Sequence, residues 1–165
     1  MSNIVILCVD DETEVLHAVV RDLSAIEDVF PIEIAESAAD AASLIEEIRN
    51  TGKYLAVIIC DHLMPEKDGV RFLKELNEES GPMATRKILL TGQASHEDTI
   101  EAINEAHISC YIAKPWKSDE LRRHVREQLS QFIVRSGIDP LPYMQALDPI
   151  IIGEAIRQKG ILSDT

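Results

Sequence analysis

The sequence predicts an α/β domain built on a doubly wound, five-stranded parallel sheet, with a short helical extension at its C-terminal end. Three observations carry this. Apolar runs alternate with amphipathic ones five times along the chain, which is the pattern of a repeated βα unit. The first, third and fourth apolar runs are almost unbroken, as in strands that helices cover on both faces. Connections are short, and the alternation ends after Phe132, where Gly137, Pro140, Pro142 and Pro149 interrupt it.

The strands are expected at Ile4–Val9, Phe30–Ala35, Leu55–Cys60, Lys87–Leu90 and Cys110–Ala113. The first helix is expected over Thr13–Ile26, because Val15, Leu16, Val19, Leu23 and Ile26 form one stripe. The second begins after Ser37, a good N-cap, and turns Ala41, Leu44, Ile45 and Ile48 inward. The third spans Val70–Glu79 and stops near Gly81-Pro82; the fourth spans His96–Ala106, and the fifth runs from Ser118 to Phe132. Residues 1–134 then form the sheet domain and 135–165 a linker with one or two short helices, not a second full domain. Within the extension, Asp148-Pro149 reads as a helix start and Gly160 as its stop. The enclosed Ile150, Ile151, Ile152, Ala155 and Ile156 imply that this helix docks, on the chain's own body or on a second copy.

Of the 165 residues, 45% are hydrophobic and 27% charged, the balance of a globular chain with a sizeable core. No apolar run approaches bilayer length, and the N-terminal run lacks the features of a secretory signal. The expectation is therefore a cytoplasmic protein with no membrane attachment. Cys8, Cys60 and Cys110 lie in or beside apolar runs and read as small buried hydrophobes. A net charge of −13 argues against direct nucleic-acid binding, because phosphates would be repelled.

In an open α/β sheet, ligands bind beyond the carboxyl ends of the strands. Asp10 and Asp11 end the first strand, Asp61 the third, Thr91 the fourth and Lys114 the fifth. Gathered carboxylates repel one another unless a cation intervenes. Hard oxygen ligands, with room left for water and phosphate oxygens, suit Mg²⁺ better than zinc. Such a metal can neutralise charge during in-line phosphoryl transfer, and one aspartate would serve as nucleophile to form an aspartyl phosphate. Lys114 would pair with a phosphoryl oxygen and Thr91 would donate a hydrogen bond.

Each residue alone has a plainer explanation. Asp10-Asp11 is a good helix cap, Thr91 an ordinary strand residue and Tyr111 a core aromatic. Asp68-Gly69 is turn chemistry, and Trp116 packs at the edge of the site. His62, next after Asp61, could tune access to it or ligate a metal but reads better as a loop histidine without a metal role, and the remaining histidines lack ligand spacing. The acidic fourth helix (Glu97, Asp98, Glu101, Glu105) and the basic fifth (Arg122, Arg123, Arg126) are solvated faces or complementary charge at a dimer or partner surface.

Four segments stand in the order and spacing of response-regulator receiver domains: Val9-Asp10-Asp11-Glu12, Asp61-His62-Leu63-Met64-Pro65 with Asp68-Gly69, Leu90-Thr91-Gly92, and Tyr111-Ile112-Ala113-Lys114-Pro115. The chain resembles that family over about residues 3–132. The resemblance implies a flavodoxin-like sheet of strand order 2-1-3-4-5. It implies Asp61 as the phosphoacceptor, and Mg²⁺ held by Asp11, Asp61 and the backbone carbonyl of Leu63, with Asp10 acting mostly through water. Thr91 and Lys114 would hold the phosphoryl group, Tyr111 would turn inward on activation, and the peptide before Pro115 would be cis. The donor would be a sensor histidine kinase, a histidine phosphotransfer protein or a small phosphodonor. The responding surface would be the fourth helix, fifth strand and fifth helix.

In the family, the residues two past the phosphoacceptor and two past the threonine influence hydrolysis. Here they are Leu63 and Gln93, and Leu63 cannot position an attacking water. Such a chain is a switch and not an enzyme, with its effector outside it. The competing reading is a magnesium phosphohydrolase of the haloacid-dehalogenase type, which needs a second acid two residues after the nucleophile. Asp61 is followed by His62 and Leu63, and Asp10 by Asp11 and Glu12.

Overall fold

In the computed structural model, which describes residues 2–76, 81–92 and 97–163, the apolar runs become strands with helices on both faces. Strands β1 (Ile4–Val9), β2 (Ile32–Ala35), β3 (Tyr54–Asp61), β4 (Arg86–Thr91) and β5 (Cys110–Ala113) pair in parallel in the order β2-β1-β3-β4-β5. The helices are α1 (Thr13–Asp22), α2 (Ser24–Glu27), α3 (Ala38–Asn50), α4 (Gly69–Glu75), α5 (Glu97–Glu105), α6 (Ser118–Ser136) and α7 (Pro149–Ser163). A 3-10 turn over Leu141–Ala146 joins the last two. No helix of the described residues is long and apolar enough to cross a membrane.

The unbroken apolar strands feed two cores because successive side chains alternate between faces. Ile4, Ile6 and Cys8 of β1 pack beneath α1, α2 and α6, whereas Val5, Leu7 and Val9 pack beneath α3, α4 and α5. In β3 the alternation is interrupted once. The β1–β3 register jumps from Val5↔Leu55 to Ile6↔Val57, so Ala56 is an extra residue on the same face as Val57. This irregularity sets the parity of the remainder of β3, including Asp61.

Several boundaries differ from the sequence expectation for identifiable reasons. Strand β2 begins at Ile32 and not at Phe30, because Pro31 has no N–H to offer and the N–H of Phe30 closes α2 onto the Ile26 carbonyl at 2.9 Å. The expected first helix breaks at Leu23 (φ −100, ψ 15) into α1 and α2. Ser37 caps α3 as expected, accepting the Asp40 N–H at 3.0 Å. The expected ends at Glu79 and His96 lie outside the described residues. Helix α6 continues past Phe132 to Ser136 and stops where Gly137 adopts φ 76, a conformation glycine takes without penalty.

The extension docks on the chain's own body. Ala146, Leu147 and Ile152 are buried in the same cluster as Leu129, Phe132 and Ile133 of α6. Tyr143 stacks on Phe30 with ring centroids 5.2 Å apart. The buried Ser130 hydroxyl donates to the Arg126 carbonyl and accepts the Asp148 N–H, both at 2.7 Å, tying α6 to the start of α7. Asp148 does begin the helix, its Oδ1 accepting the Ile150 N–H at 2.9 Å. Gly160 does not end it. Helix α7 runs through to Ser163, since glycine permits a left-handed stop without compelling one. Nor are the isoleucines buried together: Ile152 is inside, while Ile150 is 71% and Ile156 57% exposed. Successive helical residues point about 100° apart, so three in a row cannot share one face.

Lys87 is a buried cation near the start of the inner strand β4. Its Nζ donates to the carbonyls of Leu73 at 2.8 Å and Ala106 at 3.4 Å, at the C-terminal ends of α4 and α5. Burial lowers its pKa from 10.5 to about 8. Below that value both folded and unfolded chains carry the charge, and the cost of burying it stands in full. Between about 8 and 10.5 the unfolded chain binds more protons, so this group adds stability as pH rises. Urea melts at about pH 7.5 and about pH 9.5 should show the difference between wild type and Lys87→Met moving in favour of wild type. A difference that does not change with pH would show that Lys87 does not titrate in that window.

Candidate functional site

The site is assembled by strand ends. Asp10 directly follows β1, Asp61 and Thr91 close β3 and β4, and Lys114 directly follows β5. Backbone bonds extend the ladder past the strands: the Asp10 N–H reaches Ala35 O (3.1 Å), the His62 N–H reaches Leu90 O (2.9 Å) and the Lys114 N–H reaches Thr91 O (3.0 Å). The side chains are therefore held by the sheet and not by a free loop. The Lys114–Pro115 peptide is cis.

Asp10 is fully buried with both carboxylate oxygens engaged. Oδ1 accepts the Glu12 N–H at 2.8 Å, and Oδ2 faces Lys114 Nζ at 3.3 Å. Lys114 Nζ also donates to Asp61 Oδ1 at 2.6 Å. Carboxylate oxygens of Asp10, Asp11 and Asp61 all lie within 4.8 Å of one another. One ammonium thus contacts two of three gathered carboxylates.

The electrostatics follow from that count. Burial raises the Asp61 pKa, the Lys114 hydrogen bond pulls it back down, and the charges of Asp10 and Asp11 push it up again. Burial acts to lower the Lys114 pKa, but its contacts with Asp61 and Asp10 outweigh this and raise it. An all-oxygen donor set with excess negative charge fits a hard divalent cation such as Mg²⁺ and does not suit zinc. Asp11, exposed at the rim, and Asp61 would hold such a cation.

The β3–α4 loop is packed tightly against the acceptor strand. Asp68 is more than turn chemistry: it caps α4, its Oδ1 accepting the Arg71 N–H at 2.8 Å. The Gly69 N–H donates to His62 O at 2.7 Å, and a Cβ at position 69 would lie 1.9 Å from the Asp61 carbonyl oxygen. Only glycine lets the helix start this close to Asp61. Leu63 is 59% exposed, two residues past Asp61, while Gln93 lies outside the described residues.

Tyr111 is on the surface of β5, 46% exposed, and is not a core aromatic. Trp116 is tied to α1, its Nε1 donating to Asp22 Oδ2 at 2.9 Å, and the Ser118 hydroxyl donates to Asp22 Oδ1 at 2.9 Å. Cys8 and Cys60 are buried, and burial pushes both thiols up. Cys110 is half-buried beside His124 Nδ1 at 3.3 Å, with its thiol pushed up to about 11, so it stays protonated.

Two features escaped the sequence reading. Lys87 has the signal of a lone charge opening an apolar strand. The other is His62, whose Nδ1 lies 2.9 Å from Thr91 Oγ1. Its position follows from β3–β4 register, which pairs Asp61 with Leu90 and so sets the next residue, His62, beside Thr91.

Comparison with known proteins agrees with this geometry. The sequence model of the response regulator receiver domain matches residues 6–126. The hydrogenase transcriptional regulatory protein HoxA of Bradyrhizobium diazoefficiens is 39% identical over 77% of this chain and 24% of its own length. HoxA of Cupriavidus necator is 38% identical over 74% of this chain and 23% of its own length. The chain thus spans about a quarter of the length of these relatives. The signal receiver domain of an HD domain-containing protein from Pseudomonas fluorescens Pf-5 superposes with a TM-score of 0.68 at 26% identity, covering 81% of this chain and 92% of that one.

Proposed function

The chain belongs to the response regulator receiver domain family of two-component signalling, and on that premise we propose that Asp61 accepts a phosphoryl group in a Mg²⁺-dependent reaction and so switches a partner-facing surface. The observation that carries this reading is the approach of Asp10, Asp11 and Asp61 within 4.8 Å, with Lys114 on Asp61.

Asp61 would attack the phosphorus of a phosphohistidine on a sensor histidine kinase or histidine phosphotransfer protein. A carboxylate O–P bond forms, the N–P bond breaks, and the departing imidazole keeps the electron pair and takes up a proton. Mg²⁺, when bound, supplies charge neutralisation between carboxylate and phosphoryl oxygens. Asp11, Asp61 and the Leu63 backbone carbonyl would hold it. Asp10 would act through water, because its two oxygens already serve Glu12 and Lys114. Lys114 stays beside the reacting carboxylate as a point charge, and Thr91 donates its hydroxyl proton to a phosphoryl oxygen. Tyr111 turns from the surface into the space Thr91 leaves, and the α5–β5–α6 face changes shape.

Residues 1–134 would then be the receiver and 135–165 its extension, acting in the cytoplasm as a switch with no catalysis of its own. The output would lie outside this chain, as in a transcriptional regulator, and a net charge of −13 keeps this part off nucleic acid. Exposed Glu101 and Glu105 of α5, against Arg122, Arg123 and Arg126 of α6, offer a second copy complementary charge. The exposed Leu63 positions no water, so the phosphoryl group would persist.

Incubation with acetyl phosphate, followed by intact mass, tests the core of this. With Mg²⁺ present the chain should gain one phosphoryl group, and a chelator should suppress the gain. Labelling undiminished by the chelator would overturn the metal-dependent reading.

A further inference from the structure

We propose that His62 is a positioning residue that holds Thr91 in its resting place, so that the switch engages only by breaking the His62–Thr91 hydrogen bond. The inference rests on Thr91 being the hydroxyl that moves to the phosphoryl group.

The main chain fixes the point from which the ring projects. The His62 backbone is pinned on both sides, its N–H to Leu90 O at 2.9 Å and its carbonyl to the Gly69 N–H at 2.7 Å. The parallel register sets it beside Thr91, and Nδ1 reaches Oγ1 at 2.9 Å. Thr91 is 1% exposed, so water is a poor substitute partner for its hydroxyl.

A threonine hydroxyl has one proton. If that proton is donated to Nδ1, it is the same proton a phosphoryl oxygen would need. If the ring donates instead, Oγ1 is held to the ring through its lone pair. With either tautomer, carrying Oγ1 toward Asp61 breaks the contact. The lost bond is not a buried orphan, because His62 is only partly buried and its ring can rehydrate. The cost is therefore that of one exchanged hydrogen bond, which biases the switch without blocking it.

The test uses the full chain and beryllofluoride with Mg²⁺ as the probe, reading affinity by amide shifts. His62→Leu removes the bond, and His62→Asn restores a hydrogen-bonding atom near the place of Nδ1. His62→Leu should bind the probe about 3- to 10-fold more tightly, the value of one net hydrogen bond. His62→Asn should return toward wild type. In a Thr91→Val background, His62→Leu should have no effect. Independently of any activator, the imidazole ¹⁵N resonances of His62 should shift when Thr91 becomes valine. Equal or weaker binding by His62→Leu, or imidazole resonances indifferent to Thr91→Val, would overturn the proposal. Failure of wild type to bind beryllofluoride would instead overturn the phosphoacceptor reading and, with it, any switching role for His62. The two failures are separable because the imidazole shift reports the resting bond without the probe.

Discussion

Asp61→Asn should take up no phosphoryl group under conditions expected to label the wild type, and it should melt no lower than the wild type. The first half follows from chemistry: an amide oxygen is not a nucleophile of carboxylate strength, and the acyl phosphate cannot form on it. Asp10 does not replace it, because both of its oxygens are engaged and it is fully buried. The second half follows from electrostatics. Burial and the charges of Asp10 and Asp11 raise the Asp61 pKa despite the Lys114 hydrogen bond, so ionised Asp61 costs the fold stability at neutral pH. That cost is relieved as pH falls through the raised pKa, and asparagine removes it at every pH. Lys114 keeps Asp10 as a partner at 3.3 Å. Intact mass and a thermal melt on the same sample decide the matter. Full labelling of Asp61→Asn would move the acceptor to another residue, and a large drop in melting temperature would contradict the charge argument.

A chain truncated after Gly137 should melt roughly 10 °C or more below the full chain. The deleted segment carries Leu147 and Ile152, both fully buried, each contributing about 1.5–3 kcal/mol by burial. Truncation also uncovers Phe30, which loses its stacked partner Tyr143, and leaves Phe132 and Ile133 facing water. The buried Ser130 hydroxyl loses the Asp148 N–H. Leu147→Asp should reproduce much of the loss in the intact chain, since it places a charge in the same cluster. Because the extension packs on its own body, sedimentation should show the same association state before and after truncation. An unchanged melting temperature would show that the extension adds nothing to the receiver's stability.

The order of elements and the gathering of residues at the strand ends were legible in the sequence, because both are written in local pattern. Alternation of apolar and amphipathic runs needs no tertiary information, and a residue that ends a parallel strand is delivered to one known edge of the sheet. Asp10, Asp61, Thr91 and Lys114 meet there because five strands share one direction. Boundaries were less legible where a single residue decides them. Pro31 delays β2, Gly137 ends α6 and Gly160 leaves α7 uninterrupted, since glycine allows a stop that its surroundings choose whether to use. What only the tertiary structure decided are the contacts that cross register or packing. His62 meets Thr91 through the β3–β4 pairing, Lys87 spans the ends of α4 and α5, and the extension folds back beneath Phe30 and α6. Each depends on which atoms distant segments bring to one place. Sequence period determines which face a side chain takes, but the partner on that face is set by the whole fold.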